Sequence, residues 1–174
     1  MLPVTAHTVI SAPREEIFGF LADMGGRVAW TDHYLHDFHL TRPRASGVGA
    51  AARFRVNAPR SGTWGEAVIA ESDPPRRLRE EGRLGRLGRI RCFWEYELEP
   101  AGTGGTRVEL TFSTAPATRV EAFMESLGAR RWYRRQMRTS MERLRQVFEE
   151  RTDRPLVRAT VSGYEPLKAP RFGA

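Results

Sequence analysis

Residues 130–150 read RRWYRRQMRTSMERLRQVFEE, a run without glycine or proline. Wound at about 100° per residue, it lays Tyr133, Met137, Met141, Leu144 and Phe148 along one stripe. Arg131, Arg134, Arg135, Arg138, Glu142, Arg145 and Glu149 fall on the opposite side. Spacings of four between opposite charges, Arg138 with Glu142 and Arg145 with Glu149, suit the wet face of one amphipathic helix. No other stretch keeps a helical period for so long. A helix with one greasy flank needs a surface to bury it against. The rest of the chain supplies a sheet.

Most of the chain before the helix alternates with period two. The runs 7–10, 50–56, 64–71, 77–84, 89–99 and 106–113 read as strands, separated by Pro/Gly turns such as PAGTGG at 100–105. Within 89–99, Cys92, Trp94, Tyr96 and Leu98 share one face, and Glu95, Glu97 and Glu99 the other. After the first strand, Ser11 is placed to cap a short helix over 13–23, with Pro13 in its first turn and Ile17, Phe18 and Leu21 inward. Gly25-Gly26 ends it, and Val28 to Trp30 suggests one more helical turn. Val120, Phe123, Met124 and Leu127 form a stripe out of phase with that of the long helix, which predicts a kink or a separate short helix at Gly128. The expected architecture is α+β: a curved antiparallel sheet wrapped round the dry side of the final helix.

The chain has 174 residues, enough for one domain with a sizeable core. No apolar run approaches the ~20 residues of a membrane span, and the N-terminus lacks the pattern of a secretory signal. One cysteine, Cys92, excludes an internal disulfide and suits a reducing, cytoplasmic setting. The net charge of +7 comes almost wholly from arginine, since Lys168 is the only lysine. Many arginines have acidic neighbours at helix or strand spacing, so the charge reads as solvated surface rather than a nucleic-acid footprint. The tail from 152 onward holds Pro155, Pro166 and Pro170 and is expected to be extended or partly disordered, outside a domain of residues 1–151.

Particular stretches carry a resemblance. HTVISAPREEIFGFLADMGGRVAW resembles the opening of the START-like (SRPBCC) superfamily, in particular its polyketide cyclase/dehydrase-like branch. ESDPPRRLRE resembles its proline turn between strands, and YELEPAGTGGTRVELTFS its last hairpin. The resemblance covers about residues 4–150. It implies the helix-grip fold, a seven-stranded antiparallel sheet folded round the long helix with two short helices after the first strand and a deep cavity between. It implies no universal catalytic motif, cofactor or metal. Its members include carriers of lipids, hormones and pigments as well as cyclases.

With that fold, Trp30, Tyr34, Phe54, Trp64, Trp94, Phe112, Met137 and Met141 are the candidates to line a pocket, as aromatic walls and adaptable filler. The favoured expectation is binding of a small, largely apolar ligand, aromatic or polyketide- or lipid-like. A second reading is a cyclase/dehydratase-like enzyme using Glu66, Tyr96, Tyr133 and Arg130 to move a proton and hold a developing enolate. It requires Glu66 to share the inner face with Trp64, whereas strand alternation equally allows Gly65, Ala67 and Ile69 to face inward. A third reading is a module for acidic partners, through Arg131, Arg134, Arg135 and Arg138. His33, His36 and His39 with Asp32 and Asp37 do not make a metal site, because strand positions three apart face opposite ways. One of these histidines, oriented by Asp37, is placed to titrate at a cavity mouth. A homodimer is compatible with the sequence and not demanded by it.

Overall fold

A computed structural model describes residues 1–58, 61–126, 128–150 and 157–161. The seven strands are β1 (Val4–Ile10), β2 (Leu35–Leu40), β3 (Ala51–Ala58), β4 (Ser61–Asp73), β5 (Arg77–Leu84), β6 (Ile90–Ala101) and β7 (Gly105–Ala115). They form one sheet in the order β1-β7-β6-β5-β4-β3-β2, every neighbouring pair antiparallel. Hairpins therefore join β2 through β7 in sequence, and only β1 pairs out of order, with the last strand. The intervening helices α1 (Arg14–Leu21) and α2 (Val28–Thr31) flank a 3-10 turn at Met24–Arg27. After the sheet come α3 (Arg119–Ser126) and α4 (Ala129–Glu149), separated at Gly128 by a left-handed φ of 109°. This is the helix-grip architecture, with α4 lying on β1, β7 and α2.

Period-two burial makes the grip. The inward residues of β3 are Ala52, Phe54 and Val56, those of β6 Cys92, Trp94, Tyr96 and Leu98, and those of β7 Val108, Leu110 and Phe112, all buried. From the helix side Met137, Met141 and Leu144 close the core, with Tyr133 and Phe148 packed at its edge. Two glycines let the aromatic rings lie close on the sheet. A Cβ on Gly65 would sit 2.7 Å from the Phe54 ring, and one on Gly82 would sit 2.9 Å from the Trp94 ring and 2.2 Å from the Glu66 carbonyl. Removing side chains at these places leaves the backbone covered by a neighbour's ring.

Some local expectations are corrected. Pro13, not Ser11, occupies the N-cap of α1, in extended geometry, and the helix stops at Leu21. β1 and β4 run longer than the period-two stretches suggest: Val4 to Ala6 extend β1, and polar residues at the ends of β4 still pair in the ladder. Glu142 pairs with Arg145 at 2.5 Å rather than with Arg138, while Arg145 also reaches Glu149 at 3.7 Å. On α3, Val120 and Phe123 are 71% and 63% exposed, so this side does not enter the core. The side chains of Met124 and Leu127 lie outside the described residues. In the tail, residues 157–161 run along the domain. The Ala159 amide donates to the Gly25 carbonyl and the Leu40 amide to the Thr160 carbonyl, both at 2.8 Å. Arg158 pairs with Asp23 at 2.5 Å.

Candidate functional site

The polar centre of the interior comes from two places in the chain. In β5 the inward set is Leu78, Glu80, Gly82 and Leu84, so alternation turns a carboxylate toward the core. Opposite Glu80, β4 carries a bulge between Ile69 and Glu71. Strands bend and re-aim side chains at such points. The second contributor is the 3-10 turn. Asp23 caps it through the Gly25 amide at 2.9 Å. Gly25 and Gly26 keep it tight, and Arg27 swings beneath α2 to meet Glu80.

Arg27 and Glu80 are 5% and 1% exposed. The guanidinium grips the carboxylate with both terminal nitrogens, Nη1 to Oε2 at 3.0 Å and Nη2 to Oε1. This fork is the geometry that makes arginine–carboxylate pairs directional. Nη1 also donates to the Tyr96 hydroxyl at 2.8 Å, and Nη2 to the Leu21 carbonyl at 3.3 Å. The Trp30 and Tyr96 rings lie 5.0 and 5.3 Å from the guanidinium carbon. Burial alone would pull the Arg27 pKa down. The Glu80 carboxylate, helped by Tyr96 and Tyr34, overcomes that and holds it above its ordinary value. Burial pushes both Tyr34 and Tyr96 upward, so these phenols stay protonated at neutral pH. Burial likewise raises the Cys92 thiol, which keeps it a core side chain rather than a nucleophile.

Around this cluster lies an interior space of about 10 Å³, walled by Tyr34, Phe38, Phe54, Trp94, Tyr96 and Met24, with Arg27 and Glu80 at its polar end. That is room for about one water-sized sphere. Where the resemblance implies a deep cavity, the aromatic side chains and the buried pair fill most of the interior. The outer wall is irregular. β2 is an edge strand whose register slips between His36 and His39, and Asp37 takes a left-handed φ of 51°. The slip carries Phe38 over the space, where it stacks on Phe54 at 5.7 Å and 9° between planes.

The candidates read from sequence scatter about this centre. Tyr34, Phe54, Trp94 and Tyr96 line the interior space. Trp30, Phe112, Met137 and Met141 are buried in the core around it. Tyr133 is half-buried, its ring 4.6 Å from Phe112 and 4.8 Å from Trp132. Trp64 and Glu66 point the other way, a correction with a clear cause: Gly65, Ala67 and Ile69 take the inner face of β4, so their neighbours face outward. Trp64 is 44% exposed, with the Arg53 guanidinium 4.8 Å from its ring. Glu66 lies on the outer face of the sheet in an open, mixed-charge hollow of about 470 Å³, with Arg42, Glu81, Arg83 and Arg91. Arg130 is exposed. Of the four acid–base candidates, only Tyr96 lines the interior space.

Arg131, Arg135 and Arg138 are exposed on the first half of α4 and Arg134 is half-buried. Asp32 pairs instead with Arg143, farther along α4. Among the described residues no group of three or more His, Cys, Asp and Glu converges as a metal cage. His33 is half-buried against the Gln136 carbonyl at 3.3 Å, and His39 bonds the Asp37 carbonyl at 2.8 Å through Nδ1. Sequence reasoning missed Arg27 and Glu80. The sequence does signal Glu80, since Leu78 and Leu84 mark its face of β5. Nothing comparable marks Arg27, which lies in a turn without a period.

A curved antiparallel sheet gripping a long C-terminal helix defines a helix-grip protein. The family described as polyketide cyclase/dehydrase and lipid transport matches residues 1–149, and the chain belongs to it. No curated protein matches the sequence. Solved structures share the fold. The protein TTHA0849 of Thermus thermophilus is 18% identical with a TM-score of 0.65, over 86% of this chain and 99% of that one. A START superfamily protein from Mycobacterium smegmatis is 11% identical with a TM-score of 0.64, over 86% and 99%. The major latex-like protein 151 of Panax ginseng is 12% identical with a TM-score of 0.63, over 84% and 96%. At these identities the likeness is one of fold. No helix among the described residues is long and apolar enough to cross a membrane.

Proposed function

We propose that the protein binds a small, largely apolar molecule, aromatic or polyketide- or lipid-like, inside the sheet, where its strands face the turn that carries Arg27. The observation carrying this reading is the aromatic enclosure round the Arg27–Glu80–Tyr96 cluster, closed on one side by Phe38 on an irregular edge strand. A filled core has no need of a buried ion pair, which is usually no more stable than apolar residues of similar size. A polar end within an apolar enclosure is how small-molecule sites fix orientation. On this reading a ligand enters as Phe38, on the irregular strand β2, swings off Phe54.

The cyclase/dehydratase reading draws less support, because Glu66, Arg130 and Tyr133 do not join Tyr96 at one point. Native mass spectrometry of the protein purified from its own host tests the proposal. A retained small molecule, lost on denaturation, is the expected result. The proposal fails if no added mass appears and calorimetry finds no binding of apolar aromatic compounds.

A further inference from the structure

The outer face of the sheet carries its charge unevenly. Toward the β4–β5 and β6–β7 turns its arginines are matched: Arg77 with Glu95, Arg79 with Glu71 at 2.9 Å and Arg107 with Glu109 at 2.9 Å. Round the hollow beside Glu66 the matching fails. Arg42 donates to the Gly49 carbonyl at 3.2 Å, and Arg91 reaches Glu81 only at 3.8 Å. Among the described residues no carboxylate pairs with Arg42 or Arg83.

Strand register builds the recess. Ala51, Val68 and Glu81 lie side by side on β3, β4 and β5, and the next outward row is Arg53, Glu66, Arg83 and Arg91. Two residues of strand set these rows about 7 Å apart. Ala51 and Val68 are short and make a floor, and the longer second row makes a wall. Ala51 faces outward yet is only 9% exposed. Arg42 comes from the segment after β2, which the Thr41 amide ties to the Ala51 carbonyl at 3.0 Å. The resulting volume of about 470 Å³ is that of a small-molecule site.

The lining has three chemistries. The guanidinium forks of Arg42, Arg83 and Arg91 match the oxygens of a phosphate. Glu66 and Glu81 repel a bare anion. As carboxylates they only accept hydrogen bonds, and the neutral donors that answer them are hydroxyls. The floor of Ala51, Ala67 and Val68 meets carbon.

We propose that this outer hollow binds a phosphorylated polyhydroxy compound of the sugar-phosphate class. Its phosphate sits on Arg42, Arg83 and Arg91, and its hydroxyls donate to Glu66 and Glu81. The site lies on the opposite side of the sheet from the interior space and does not rest on the ligand-binding reading above.

Calorimetry of the full chain with ribose-5-phosphate, inorganic phosphate and ribose tests it. Ribose-5-phosphate is expected to bind at least about tenfold tighter than inorganic phosphate, the scale of a charge-assisted hydrogen bond. Ribose alone is expected not to bind. Arg83→Gln should weaken ribose-5-phosphate at least about tenfold, and Glu66→Ala should bring its advantage over inorganic phosphate below about threefold. Both side chains are exposed, so neither change threatens the fold. Replacing Arg131 and Arg135 of α4 by glutamine removes more charge, but away from the hollow, and should shift the affinity by less than about twofold. Equal binding of ribose-5-phosphate and inorganic phosphate overturns the proposal. So does an equal loss in the Arg83 and α4 variants, or no binding of ribose-5-phosphate, and each of these results leaves the interior site untouched.

Discussion

Arg27 and Glu80 sit on different elements, and each is the other's only way of being charged in a dry interior. Arg27→Met leaves the Glu80 carboxylate buried alone and is expected to cost about 3–5 kcal/mol of stability. Adding Glu80→Leu should recover most of that loss, because the desolvation of both ions is then avoided. Urea unfolding of the two variants checks this, and equal destabilisation of both would refute it. His33 gives a pH signature at the same scale. Burial holds its pKa below the ordinary value, with Arg143 acting in the same direction. As pH falls, the unfolded chain therefore takes up the proton first. The stability from a neutral His33 is present above about pH 6.5 and is lost on descending from there toward the lower folded pKa. His33→Gln should flatten the unfolding profile between pH 7 and 5, and parallel profiles would show that His33 does not contribute. At this scale the sequence is a partial guide. Alternation marks Trp94, Tyr96 and Glu80 as inward, but Arg27 is unmarked, because a turn has no period to read.

Elements were more legible than residues. The apolar stripe of α4 and the alternation of β3, β6 and β7 follow from side-chain geometry that any burial must respect, and the structure places them accordingly. On β4 the pattern is two-sided: both Trp64-Glu66-Val68 and Gly65-Ala67-Ile69 alternate, and only packing against Phe54 and Leu84 decides between them. Glycine is the clue, since the small face is the one that must pass beneath rings. Two substitutions of opposite sign test this account. Gly82→Ala puts a methyl carbon 2.2 Å from the Glu66 carbonyl, a backbone atom that cannot move alone. It is expected to cost about 1–3 kcal/mol or more, as overpacked cores do. Gly19→Ala, on the exposed face of α1 with nothing within 4 Å of the new carbon, should stabilise by about 0.5–1 kcal/mol through helix propensity. Thermal unfolding measures both, and a neutral Gly82→Ala would mean that the sheet there is far more pliable than its register implies.

For the molecule as a whole, sheet order and closure follow from hairpin connections, whereas the size of the interior depends on how bulky rings nest, which no pattern encodes. The tail is the other unreadable part. Residues 157–161 have a weak alternation, yet they meet two elements that matter to the interior. One is the outer edge of β2 at Leu40, where Val161 forms a parallel bridge. The other is the turn that carries Arg27, held through Gly25 and through Arg158 with Asp23. Asp23 is also the cap of that turn, so the strap bears on the geometry of the buried pair from outside. Among the described residues, deleting 157–174 removes two backbone hydrogen bonds and the Arg158–Asp23 ion pair. The expected loss is about 1–2 kcal/mol, because the freed groups regain water. The sharper readout is local. The Leu40 amide, which donates to Thr160, should exchange with solvent at least about tenfold faster in the truncated chain. Unfolding of the truncated chain should stay cooperative. Unchanged protection at Leu40 would mean that the strap does not hold β2 in solution, and the route from tail to interior would then have to be abandoned.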